Sequence, residues 1–175
     1  MPARGKSPRI REKTPDIAVS VSPVKMSAMK DEKTSVWEIE YSAETKASPE
    51  VIWMLFKDVA GWKRWNAGIE QIELHGPFAA GTEFMMKSPG QDPLTSRLIE
   101  VCENVGFLDE TCVGDLKIYV DHRIEPISAG RTRIVYSMEA FGPSCDEIGP
   151  LVSADFPEVL RSLVTLAECG ACRAA

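Results

Sequence analysis

The chain has 175 residues, a formal net charge of −6, 44% hydrophobic residues and 26% charged residues. That length fits one domain, at most one domain with a tail, and the composition is that of a globular protein able to bury a core. Five scattered cysteines and the lack of an apolar run long enough for a bilayer exclude a disulfide scaffold and membrane insertion, and predict a soluble cytoplasmic protein.

Charge divides the chain unequally. Residues 1–34 hold eight Lys/Arg against four acids, a balance of +4, so the remainder carries −10 to reach the total of −6. This stretch is rich in Pro, Ser and Lys and lacks aromatic residues, so it is expected to be a disordered basic tail. "IAVSVSPV" within it is too short and too broken for a signal core, and Met26 and Met29 are alternative starts. A basic arm can contact nucleic acid or an anionic membrane, but acids and prolines interrupt this one, and a solvated extension is the plainer reading. The acidic body predicts no nucleic-acid partner. The folded domain is expected over 35–170, with 171–175 a short C-terminal tail.

The body opens with "SVWEIEYSAET", where Trp37, Ile39, Tyr41 and Ala43 alternate with Glu38, Glu40, Ser42 and Glu44. A period of two with one apolar face predicts a strand. "ASPEVIWMLFKDVAG" follows, with Ser48 as N-cap, Pro49 at the first helical position and Glu50 at the helix's positive end. Ile52, Leu55, Phe56 and Val59 form its apolar stripe. Gly61 stops that helix, and "WKRWN" allows one further turn with Trp62 and Trp65 on one face.

Strands are then predicted over 68–75, 81–87, 93–102, 105–113, 116–125 and 131–141, separated by turn-forming segments such as "HGPFAAG", "KSPGQDP" and "PISAGR". Links this short make the strands antiparallel neighbours. The last element, "DFPEVLRSLVTLAECG", places Phe156, Leu160, Leu163, Val164 and Ala167 on one helical face. Helical character is expected to start nearer Asp146, with Pro150 and Pro157 segmenting it. The order β-α-α-β-β-β-β-β-β-α gives an α+β fold, a seven-stranded antiparallel sheet covered by the C-terminal helix.

The stretch from "ASPEVIWMLFKDVAGWKRWNAGIEQIELHGPFAAGTEF" through "LTSRLIEVCENVGFLDET" and "VDHRIEPISAGRTRIVYSMEAFGP" to the last helix resembles the polyketide cyclase/dehydrase-like branch of the START-like, helix-grip superfamily, also called SRPBCC. The resemblance covers about residues 35–169. It implies a deep cavity between a curved sheet and the C-terminal helix that holds lipids, polyketides or other apolar molecules, and it specifies fold better than chemistry.

Within that frame His122 is the foremost titratable residue. In "LKIYVDHRIEP" it shares parity with Ile118, Val120 and Ile124, while Ile134, Tyr136, Met138 and Ala140 share the apolar parity of "RTRIVYSMEA". A turn near 127–131 makes cross-strand partners sum to 258, which pairs His122 with Tyr136. Inside an apolar cavity the two could orient a ligand carbonyl or transfer a proton, and they are the candidate catalytic residues. The alternative is a core pair that satisfies its own hydrogen bonds. Trp65, Phe84, Met86, Met138, Phe156 and Leu160 are suited to lining a pocket, and equally to filling a core. Arg97 could meet an anionic group, or pair with Asp109 or Glu110 on the next strand.

"CGAC", Cys169 to Cys172, follows a helix instead of opening one, so the dipole that would activate a thiol is reversed. With only His75 and His122 available, a zinc site lacks ligands, and no cofactor motif is present. Three functions stay open. The first is binding of a small hydrophobic molecule. The second is a cyclase/dehydratase-type enzyme using His122 and Tyr136. The third is a regulatory interaction module.

Overall fold

The computed structural model describes residues 20–21, 35–128 and 130–171. In chain order the elements are β1 (Ser20–Val21), β2 (Val36–Thr45), α1 (Pro49–Lys57), a 3-10 helix (Val59–Arg64), β3 (Gln71–Leu74), β4 (Glu83–Lys87), β5 (Leu94–Cys102), β6 (Gly106–Val113), β7 (Leu116–Ser128), β8 (Arg131–Phe141), α2 (Cys145–Val152) and α3 (Phe156–Ala171). The seven expected strands are present. β1 adds a two-residue strand that pairs with β2 through Ser20↔Ser42 and Val21↔Tyr41. It falls within the stretch expected to be disordered; the rest of residues 1–34, and 172–175, lie outside the described residues.

All strands belong to one antiparallel sheet in the order β1-β2-β8-β7-β6-β5-β4-β3. From β3 to β8 each strand lies beside its sequence neighbour, as the short turns require. β2 instead pairs along its whole length with β8, from Val36↔Phe141 to Thr45↔Thr132. The first and last long strands are thereby brought together.

Ser48 sits at the α1 N-cap with Pro49 in the first turn, but its hydroxyl makes no capping bond. Its carbonyl instead accepts from the Val51 and Ile52 amides at 3.1 and 3.2 Å. α1 buries Ile52, Trp53 and Phe56, so the stripe is centred on Trp53 and not on Leu55. Helical structure does begin near Asp146. Pro150 lies inside α2, and Pro157 lies in the first turn of α3, where a missing N–H costs little. α3 packs on β2 and α1 and buries Val159, Leu160, Leu163, Val164 and Ala167. Its far end is tied to β2 by Glu168 Oε1, which accepts from Thr45 Oγ1 at 3.1 Å and from the Lys46 amide at 3.0 Å.

The core has two parts. The larger lies among α1, the 3-10 helix, α3 and one end of the sheet. It contains Ile52, Trp53, Phe56, Trp62, Trp65, Phe84, Phe107, Tyr136 and the α3 stripe. The smaller holds Leu116, Ile118, Met138, Ala140 and Cys145 under α2. Phe156, half-buried at the start of α3, packs against both.

Candidate functional site

The site grows from strand register. The tight β7–β8 connection sets His122↔Tyr136 as Cα partners, together with Val120↔Met138 and Ile124↔Ile134. His122 and Tyr136 both point inward, and their ring centroids are 4.4 Å apart at 74°. On the other side of His122, β6 contributes Phe107, directly opposite. Its ring stacks on the imidazole at 4.1 Å and 10°. Phe56 from α1 closes over the group, edge-on to His122 at 6.1 Å and to Phe107 at 5.3 Å. Phe156 meets Tyr136 edge-on at 5.6 Å.

Asp109, one of the two acids the sequence offers Arg97 as a partner, is buried on the inner face two residues along from Phe107. Its Oδ2 lies 3.6 Å from His122 Nδ1, just beyond hydrogen-bond range. Burial, with nothing to offset it, pushes the Asp109 carboxyl up to about 8. Burial also holds His122 down to about 3, against backbone groups of Val120 and Phe107 that favour the charged ring. Burial, with the nearby Asp109 and Asp155 charges, raises the Tyr136 phenol well above its ordinary value. At neutral pH the cluster is thus a carboxylic acid, a neutral imidazole and a phenol, not an ion pair.

Three of its atoms are costly. His122 Nδ1, Tyr136 Oη and, in the same core cluster, Trp65 Nε1 are buried without a hydrogen-bond partner among the described residues. A polar atom left so is destabilising by about 1–3 kcal/mol. The core-pair reading of His122 and Tyr136, in which the two satisfy each other, is therefore not what the geometry contains.

The remaining candidates divide. Trp62 and Trp65 are both buried in the larger core, their rings 5.8 Å apart. Trp62 is the anchor, stacked on Phe107 at 5.6 Å and donating from Nε1 to the Phe56 carbonyl at 2.8 Å. Phe84 and Leu160 are buried in the same cluster, and Met86 is partly buried against it. Met138 belongs to the smaller cluster beneath α2. Arg97 stands apart. It lies on the exposed outer face of β5 and pairs with Glu83 at 2.9 Å, not with Asp109 or Glu110.

Where the resemblance implies a deep cavity, rings from α1, the 3-10 helix, β4 and β6 pack with centroids 5.3–5.6 Å apart. Two depressions lie on the outside of the protein. One, of about 360 Å³, lies on the outer sheet face beside Tyr119, Asp121, Glu139 and Phe141. The other, of about 350 Å³, runs along the solvent side of α3 past Arg161 and Thr165. Between the two inner clusters, Val120 and Phe156 are only half-buried, and this seam borders Asp109 and His122. No group of three or more His, Cys, Asp or Glu side chains among the described residues could hold a metal ion. No helix among them is long and apolar enough to cross a membrane.

The profile of the family described as polyketide cyclase/dehydrase and lipid transport matches residues 36–168. The chain belongs to this family. Its fold is the START-like helix-grip fold, a curved antiparallel sheet around a long C-terminal helix. Norcoclaurine synthase from Thalictrum flavum superposes with a TM-score of 0.64 at 16% identity, covering 83% of this chain and 97% of that one. The Zhui aromatase/cyclase from Streptomyces sp. R1128 gives 0.65 at 15% identity, over 77% and 94%. A START superfamily protein from Mycobacterium smegmatis gives 0.61 at 14%, over 75% and 97%. At these identities the likeness is one of fold. No curated protein sequence matches the chain significantly.

Proposed function

We propose that the protein binds a small, largely apolar molecule carrying a polar group, between the sheet and α3 and against His122, Tyr136 and Asp109. The observation that carries this reading is the set of buried polar atoms without partners in an aromatic surrounding. A fold that only needed a core would do better with apolar side chains there. A ligand hydroxyl or carbonyl supplies the missing bonds, and its rings replace side-chain contacts. Entry runs through the seam at Val120 and Phe156, because the half-buried Phe156 can swing aside at the break between α2 and α3. Trp65, Phe84, Met86 and Leu160 form the apolar wall, and Met138 the far side.

Family membership supports this reading, and so do compared structures named as a synthase and an aromatase/cyclase. The same reading takes a small molecule and not nucleic acid as the partner, in keeping with the acidic body.

Native mass spectrometry of gently purified protein tests the proposal, followed by thermal unfolding with a panel of aromatic alcohols and ketones. A co-purified mass that denaturation releases is the expected result. A binder at a hundred times its Kd should add about 2.7 kcal/mol of stability. Ligand-free protein whose unfolding no panel member shifts would overturn it.

A further inference from the structure

Among the described residues the helices pack on the inner face of the sheet and leave its outer face uncovered. Charge on that outer face is sorted. Around Glu40 and Glu44 it is balanced: Arg123 pairs with Glu40 and Asp121, Arg131 with Glu44, and Arg133 with Glu44 and Glu125. Farther along, strand register sets Glu38 on β2, Glu139 on β8, Tyr119 on β7 and Glu110 on β6 as successive Cα partners, one row across four strands. Among the described residues no ion pair holds Glu38, Glu139 or Glu110, and the nearby Lys117 forms none. Glu110 accepts from Tyr119 Oη at 2.5 Å, and Arg97, its partner on β5, is taken by Glu83. Glu38 and Glu139, both exposed, oppose each other directly, which costs stability. The Tyr119 and Phe141 rings, edge to face at 5.8 Å, stand beside them at the depression of about 360 Å³. Opposed carboxylates next to ring surface fit a string of cations.

The chain carries such a string upstream of β1, outside the described residues. In "PRIREKTP" Arg9, Arg11 and Lys13 alternate with Ile10 and Glu12 between two prolines. Drawn out as a strand, the three cations would share one side and span about 13 Å. The row from Glu38 to Glu110 crosses three strand spacings, about 14 Å. The two lengths agree. β1 also fixes where the segment is tethered, because Ser20 pairs with Ser42 on the edge strand β2. From there Glu38 lies about 14 Å away, four residues along β2 and one strand spacing across. Lys13, seven residues upstream of Ser20, has a reach of about 23 Å.

We propose that the segment 9–13 of this chain docks across the outer face of the sheet, Lys13 at Glu38 and Arg9 toward Glu110. Arg11 then falls between Glu139 and the Tyr119 ring, where a guanidinium can pair with the one and stack on the other. Exposed ion pairs are individually weak. The tether through β1 offsets this by making the contact intramolecular, at high effective concentration. The basic segment and the acidic face of the body are in this way each other's partner, and the outer face is closed to other cationic surfaces while the segment occupies it.

Zero-length carbodiimide cross-linking of the full 175-residue chain, read by peptide mass spectrometry, tests the proposal. The reagent joins a lysine amine to a carboxylate only where the two touch. Lys13 should be joined to Glu38 or Glu139 in monomeric product at about 20 mM salt, and the link should vanish at about 1 M, where the Debye length is about 3 Å. Arg9→Gln with Arg11→Gln leaves Lys13 in place and should cut the yield about fivefold, the scale of two exposed ion pairs. The Tyr119 and Glu139 amide signals should move in the same variant. Absence of the Lys13 link would overturn the proposal, as would equal linking to exposed acids elsewhere, such as Glu50 and Glu158. A yield indifferent to salt and to the arginine changes would overturn it as well. Links confined to covalent dimers would do the same, by giving the face to a second copy.

Discussion

His122 and Tyr136 face each other across β7 and β8 with their rings nearly perpendicular and 4.4 Å apart, yet neither His122 Nδ1 nor Tyr136 Oη has a hydrogen-bond partner among the described residues. The two are close as rings and unsatisfied as polar groups. Their apolar surfaces meet while their polar atoms need something else. Phe107 holds the other face of the imidazole, so the ring is clamped between two aromatics and cannot turn freely toward a new partner. A molecule that completes these bonds meets a preformed wall.

Tyr136→Phe separates binding from core packing. The substitution keeps the ring that packs on Phe56, His122 and Phe156 and removes only the unpartnered hydroxyl. In ligand-free protein the variant should therefore be as stable as wild type, or more stable by about 1 kcal/mol, because a buried unsatisfied group is gone. Affinity for a ligand bearing a carbonyl or hydroxyl should fall about fivefold, the equivalent of one hydrogen bond. Affinity for a purely apolar ring should hold. Chemical denaturation and titration calorimetry measure the two effects. A loss of stability without ligand would mean that the hydroxyl already has a partner.

Gly106→Ala strikes the site through the backbone. Gly106 has φ +149°, and a Cβ there would lie 2.1 Å from the His122 carbonyl oxygen. Gly106 pairs with Arg123 across β6 and β7, next to Phe107↔His122. A side chain would have to push the two strands apart. The expected destabilisation is about 3 kcal/mol or more, combining an unfavourable φ with a backbone clash. Thermal unfolding reads it, and a change in the His122 ring-proton shifts reads the local displacement.

The pair also sets a pattern of stability against pH. Asp109 rises from 3.8 to about 8 on folding, so by itself it contributes stability that is lost as pH climbs through that range. His122 falls from 6.5 to about 3, so its contribution is lost as pH drops through its own range. Between about 4 and 6.5 the folded pair and the unfolded chain each bind one proton, and the two effects cancel. Above that the unfolded chain binds none while the folded Asp109 keeps its proton. Stability should then decline by about 2 kcal/mol between pH 6.5 and 8, at about 1.4 kcal/mol per unit. Asp109→Asn should remove that decline. Urea denaturation across this range, for both proteins, measures it.

Much of this was written in local pattern. The alternation of Trp37, Ile39, Tyr41 and Ala43 determined a one-sided strand, and the chain of short turns determined the antiparallel order from β3 to β8. Parity plus one turn length was enough to place His122 opposite Tyr136, because the side-chain period of a strand is two and a tight turn fixes register. The same reasoning reaches Asp109 as well. The β6–β7 turn at Gly114–Asp115 sets Phe107↔His122 and Asp109↔Val120, so Asp109 shares the inner face. Parity within the β5–β6 hairpin does not place it, because both faces there are mixed and a bulge between Leu98 and Glu100 breaks the alternation.

Tertiary structure alone decided three other features. Arg97 took Glu83 from β4, not an acid from β6, because both strands flank β5 and only side-chain geometry chooses between them. Rings from α1, the 3-10 helix, β4 and β6 met in the region where a cavity was expected. His122 Nδ1 and Tyr136 Oη were left without partners among the described residues. Periodicity says which way a side chain points, since that depends on the backbone around it. Whether a buried atom then finds a partner depends on residues far away in the chain, and only the assembled fold brings them to the same place.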